Sequence, residues 1–176
     1  MVKILEYPSE KDWMEVKRRA LVTVGLSPVN LPDSEWKHSI LEARHSPIRR
    51  LRYSFYLEIP YWVSVHLCRH VHAQPYVRSQ RNDRQDQYDR NCAPQNAMVS
   101  MIWDMSAEEL MEIANKRLCQ LAAPETRAVI KAVCDLAIGV TPELEGLLIP
   151  MCKYHGGVCH EMHPCKERKK DESIHQ

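Results

Sequence analysis

The most regular pattern in the chain is the alternation from Leu51 to Ile59. Leu51, Tyr53, Phe55, Leu57 and Ile59 fall on one side, and Arg52, Ser54, Tyr56 and Glu58 on the other. A period of two predicts a strand with one buried face. Pro60 ends it and suits the first turn of a helix, expected from Tyr61 to about His70. Upstream, Pro8-Ser9-Glu10-Lys11-Asp12 reads as a helix start with Ser9 at the N-cap and Asp12 three residues on. That helix runs to about Val24, where Gly25 offers a stop. Leu26 to Asp33 is a proline-containing loop, and Asp33 or Ser34 caps a second helix through about Ala43.

Beyond the strand the pattern weakens. Residues 71–95 have no apolar period, are rich in Arg, Asn, Asp and Gln, and contain Pro75 and Pro94, so they read as a solvated loop of the kind that often carries binding chemistry. Asn96 to Trp103 reads as a helix or a short connector. Ser106-Ala107-Glu108-Glu109 is a second capping signature, opening a helix to about Leu121. Pro124 opens another to about Ile138, closed by Gly139, and Thr141-Pro142-Glu143-Leu144 begins a last short helix. The charged stretch Lys166 to Gln176 reads as disordered.

The 176 residues fit one domain, or one domain at 1–150 with a Cys/His-rich appendage at 151–176. A formal net charge of +1 gives no reason to expect nucleic acid or an anionic membrane as a partner. No apolar run reaches membrane-spanning length, and the first ten residues lack the apolar core of a signal peptide, so a cytoplasmic protein is expected. Seven cysteines, an odd number, argue against a disulfide framework. Cys68, Cys119 and Cys134 sit in partly apolar helical patterns and read as small core residues. Cys152, His155, Cys159, His160, His163 and Cys165 form a separate cluster, with Gly156-Gly157 allowing a tight turn within it. Cys152, Cys159, His163 and Cys165 are candidate ligands for a structural zinc. The alternative is a polar, reduced segment.

The stretch from Ser46-Pro47 through Arg81 carries the strongest functional signal. Ser-Pro is followed by the alternating strand, a helix, and Arg69-His70-Val71-His72-Ala73-Gln74-Pro75-Tyr76-Val77-Arg78-Ser79-Gln80-Arg81. This order resembles the flavin-dependent thymidylate synthase family, whose motif reads R-H-R-x-x-S-x-N-E-x-S-x-R. Arg69, His70, Ser79 and Arg81 match it. Val71, Gln74, Tyr76 and Val77 replace the second Arg, the first Ser, the Asn and the Glu, and Arg49-Arg50 replaces an upstream Glu-His. A second block, Ser106 to Arg117 followed by Ala123 to Arg127, is similar to a family helix. Arg90 and Pro94 resemble the turn before it. The segment between motif and turn is shortened to residues 82–89.

The resemblance implies an α/β (α+β) fold with helices around a small sheet, and a homotetramer with active sites between subunits. It implies an enzyme methylating dUMP to dTMP with FAD, methylenetetrahydrofolate and NADPH. His66, Ser79, Arg81, Arg90 and Arg117 would contact the pyrimidine nucleotide, Arg117 also favouring ionisation of the uracil N3. Ser46, Arg69 and His70 would contact flavin or folate. Guanidinium forks suit a nucleotide dianion because they give bidentate, charge-assisted bonds and stay ionised. Taken singly, each of Arg81, Arg90 and Arg117 fits a surface salt bridge to Asp83, Asp86 or Asp89 better; the three together at matched positions favour nucleotide binding. Glu108 and Glu112 stand where the family has Arg and Asn, which places negative charge beside an anionic cofactor. These losses leave a second reading open, a nucleotide-binding protein that has lost its flavin chemistry.

Overall fold

The computed structural model describes residues 1–84 and 89–165. Strands β1 (Val2–Glu6), β2 (Arg52–Pro60), β3 (Gln74–Val77) and β4 (Met98–Ser106) form one antiparallel sheet in the order β1-β2-β4-β3. Helices α1 (Glu10–Val22), α2 (Ser34–Glu42), α3 (Tyr61–Leu67), α4 (Ala107–Arg117), α5 (Pro124–Val140) and α6 (Met151–Tyr154) accompany it. The mixed architecture expected from the sequence is present.

The β2–β4 pair holds the molecule together, with nine residues in register from Arg52↔Ser106 to Pro60↔Met98. Tyr53, Phe55, Leu57 and Ile59 point inward from β2, and Val99, Met101, Trp103 and Met105 from β4. Trp13, Val16, Leu41, Leu110, Ile113, Ile130 and Val133 from the helices complete the same core. Burial of this face fixes the register, since a one-residue slip would turn every core side chain outward.

Several elements differ from the sequence reading. Residues 96–103 are mostly strand, not helix or connector. Met98 and Ile102 on the open face make both sides of β4 apolar and blur the alternation. The segment 71–95, which reads as a loop in the sequence, contains β3, a four-residue edge strand. Pro75 is tolerated there because an edge strand can spare a donor. The N-terminal five-residue strand β1 adds the other edge. Gly139 lies inside α5, which continues to Val140, while α3 stops at Leu67 and α4 at Arg117. Of the three cysteines assigned to the core, Cys134 is buried, and its burial pushes the thiol up to about 12. Cys119 is half-buried and Cys68 is exposed, because α3 ends before position 68 could turn inward. The charged stretch at 166–176 lies outside the described residues.

The predicted helix starts are present. Ser9 Oγ accepts from the Asp12 N–H, and Asp12 accepts from the Ser9 N–H, closing the capping box. Ser9→Ala should therefore cost about 1 kcal/mol in chemical denaturation. The Ser9 hydrogen bonds hold the Asp12 carboxyl below its ordinary range, with smaller help from Arg50 and Lys11. Asp12's contribution is thus complete above the usual carboxylate pKa and fades as pH falls through its lowered folded value.

Candidate functional site

Strand β4 passes directly into α4, and Ser106 both ends the strand and caps the helix, accepting from the Glu109 N–H at 3.2 Å. The capping signature is only half used: the Glu109 carboxylate does not return to the cap. It is buried and faces His70 Nδ1 at 3.6 Å. A cleft of about 690 Å³ opens between this part of α4, the turn at Ser46–Arg50 and the segment after α3. Arg44, Arg49, Arg52, Arg69 and Lys116 supply five cations to its wall, against three carboxylates from Glu108, Glu109 and Glu112.

His70 is one of the cleft's buried polar side chains. Arg117 Nε donates to His70 Nε2 at 2.9 Å, and an Arg117 Nη donates to the His66 carbonyl at 3.2 Å. A guanidinium can only donate, so in this arrangement His70 Nε2 is the bare nitrogen and any proton on the neutral ring sits on Nδ1, toward Glu109. The Trp103 ring lies 6.2 Å from the His70 ring at 60°. Partial burial, and then the charge of Arg69, depress the pKa of Arg117. It stays cationic at neutral pH all the same. Two of its five N–H groups are used, leaving three without a partner among the described residues.

The two acidic residues that looked hostile to an anionic cofactor are neutralised. Glu108 is gripped by Arg49, with contacts of 2.5 and 3.2 Å, and Glu112 is paired with Arg44. Glu108 raises the pKa of Arg49 further, by hydrogen bonding and by charge. Arg44 also donates to Asn115 Oδ1 at 2.5 Å and lies over the Tyr154 ring. Arg52, Arg69 and Lys116 carry no ion-pair partner among the described residues.

Not every residue proposed from the sequence joins this cleft. Arg69 and His70 line it, while Arg117, hydrogen-bonded to His70, lines the neighbouring cleft with Asn115 and Lys116. Ser46 is exposed at the start of the adjoining turn. His66 contributes its carbonyl, while its ring is held between Thr126, with Nδ1 3.3 Å from the hydroxyl, and the edge of Trp62. Ser79 and Arg81 line a separate depression with Arg78 and Arg84, and Arg81 makes a forked pair with Asp83 at 2.8 and 2.9 Å. Arg90 is exposed in a turn, its N–H donating to Asn82. The zinc set Cys152, Cys159, His163 and Cys165 is not assembled: among the described residues, no three His, Cys, Asp or Glu side chains stand ready to share a metal ion. Arg44, Glu109 and Lys116 were not singled out from the sequence. The placement of Glu109 opposite His70 was hidden behind its role as a helix-capping residue.

Comparisons with known proteins bear on the fold. Residues 84–143 match the family model described as thymidylate synthase complementing protein. Thymidylate synthase X from Helicobacter pylori, solved with FAD and dUMP, superposes with a TM-score of 0.65 at 16% identity, covering 84% of this chain and 96% of that chain. A second structure of the H. pylori protein with the same ligands gives 0.67 at 15% identity over 83% and 98%. The UMP/dUMP methylase PolB from Streptomyces cacaoi, bound with 5-Br dUMP, gives 0.64 at 13% identity over 81% and 92%. No curated protein matches the chain by sequence. The fold is that of the flavin-dependent thymidylate synthases. The family model covers about a third of the chain, residues 84–143, and the structural likeness extends over most of it.

Proposed function

We propose that this protein is a thymidylate synthase-type enzyme that methylates dUMP to dTMP, with FAD as cofactor and methylenetetrahydrofolate and NADPH as co-substrates. The observation that carries the reading is the reciprocal pairing of Glu108 with Arg49 and of Glu112 with Arg44. It leaves Arg52, Arg69 and Lys116 to give the cleft a net positive charge, which fits the phosphates of a flavin dinucleotide. The bound flavin would supply hydride chemistry. The chain's own residues would bind and orient. Arg69 and the Ser46 turn would face the cofactor, and His70 would sit at its edge with its tautomer set by Arg117. The free N–H groups of Arg117 would address the uracil edge, stabilising negative charge that develops there.

Ser79, Arg81 and Arg90 would reach the same nucleotide only from another copy of the chain, which supports a homotetramer with shared sites. The open face of the sheet offers one surface for such assembly. Tyr56, Ile102 and Tyr76 form a cross-strand row there, with Tyr76 and Ile102 exposed. Mixing two inactive variants tests the arrangement. Arg81→Ala and Arg117→Ala should each lose dUMP binding, and subunit exchange between them should restore part of it. Failure to recover binding, with both variants tetrameric and exchanging, would contradict a shared site.

One observation favours a second reading. Val71 lines the cleft and is 82% exposed, where a cofactor-binding wall would gain from a polar group. It fits a nucleotide-binding protein without flavin chemistry. The absence of membrane-length apolar helices among the described residues, together with the fold, fits the proposed cytoplasmic location.

A further inference from the structure

Three carboxylates stand on the wall of the main cleft, and two of them have an arginine. Glu108 pairs with Arg49, and Glu112 with Arg44. Glu109 is the most deeply buried of the three, at 7% exposure. Among the described residues its one ion-pair contact is His70 Nδ1, at 3.6 Å. A buried carboxylate is costly unless a partner offsets it, and here the partner is an imidazole.

Glu109 and Arg117 lie about two turns apart on α4, so they project from similar sides of the helix. The His70 ring sits between them. Glu109 stands at Nδ1, and Arg117 Nε donates to Nε2 at 2.9 Å. Trp103, 6.2 Å away, borders the ring from β4. These contacts select one form of the imidazole. Arg117 only donates, so Nε2 is bare. The neutral ring then carries its proton on Nδ1, where the negative charge of Glu109 favours it. The other tautomer would set an Nε2–H against the Arg117 N–H. Two donors would then face each other with no acceptor between them, and the guanidinium would have to swing away.

We propose that Glu109 is a positioning residue for the nucleotide site. It acts through His70. Its charge holds the ring in the Nδ1–H form, which keeps Arg117 seated with its remaining N–H groups available to the neighbouring cleft, about 470 Å³ in volume, that Arg117 lines. The consequence for the nucleotide rests on the proposed role of Arg117 at the uracil edge. The hold on His70 does not.

The test uses Glu109→Gln in the full-length chain, which keeps the shape of the side chain and removes its charge. Nitrogen NMR of histidine-labelled protein reads the tautomer, with His70→Gln identifying the His70 signals. Wild type should show a bare Nε2 and a protonated Nδ1, and Glu109→Gln should move the population toward Nε2–H. Affinity for dUMP, measured by calorimetric titration, should fall about 3- to 10-fold in Glu109→Gln. In an Arg117→Ala background the same substitution should cost nothing further, because the residue through which Glu109 acts is gone. A wild-type His70 protonated at Nε2, or a tautomer that Glu109→Gln leaves unchanged, would overturn the proposal. So would an equal loss of affinity with and without Arg117, which would reduce Glu109 to a general structural or electrostatic role. A wild type that binds no dUMP would remove the nucleotide reading by itself, and the tautomer comparison would still decide whether Glu109 positions His70.

Discussion

Arg117→Ala is expected to weaken dUMP binding about 10- to 100-fold, since hydrogen bonds to charged groups contribute about 1.5–3 kcal/mol. The residue sits in the last turn of α4, where loss of a cation from the helix end costs only about 0.3–1 kcal/mol. The variant should therefore fold, and its defect should be one of binding. Arg117→Lys separates charge from shape. An ammonium keeps the charge but cannot address His70 and the His66 carbonyl while presenting a planar fork outward, so it should restore little. Calorimetric titration with dUMP reads both variants, and unchanged affinity in Arg117→Ala would remove the assigned site.

The second large effect is on stability. Trp103 is completely buried on β4, with Phe55 and Pro75 as its cross-strand partners, and its ring borders His70. Trp103→Ala should destabilise the fold by about 3–5 kcal/mol through lost burial and the cavity left behind. It should also loosen His70, and with it the Arg117 contact, so that nucleotide affinity falls in the fraction that remains folded. Trp103→Phe should be far milder. The indole Nε1 has no hydrogen-bond partner, so its removal relieves an unsatisfied buried donor while much of the apolar bulk stays. Thermal unfolding of the two variants checks the ranking, and equal losses would show that the indole nitrogen is satisfied.

The parts of the fold legible in the sequence were those where one physical rule acted alone. The alternation of β2 came from a single buried face, and the starts at Ser9, Asp33 and Ser106 came from side chains satisfying free helix N–H groups. Strand β4 was obscured because Met98 and Ile102 are apolar on the open face as well. Strand β3 was obscured by Pro75, tolerated only at an edge that the sequence does not mark. In the site, Arg69, His70 and Arg117 were legible through motif spacing. The pairings Arg49–Glu108 and Arg44–Glu112 were not, because each joins residues some 60 or more positions apart across the fold. Those pairings matter most for interpretation. Read alone, Glu108 and Glu112 argue against an anionic cofactor, whereas paired they leave the cleft positive. The role of Glu109 was likewise masked, since a Glu three residues after a Ser serves as a helix cap in most contexts.

The most direct test of the proposed chemistry is the visible absorption spectrum of the purified protein after incubation with FAD and dUMP and removal of free ligand. Oxidised-flavin bands in roughly stoichiometric amount are the predicted result, retained when Glu108 and Arg49 are intact and reduced in Arg69→Ala. A colourless protein that still binds dUMP would contradict the flavin-dependent reading and leave a nucleotide-binding protein in its place.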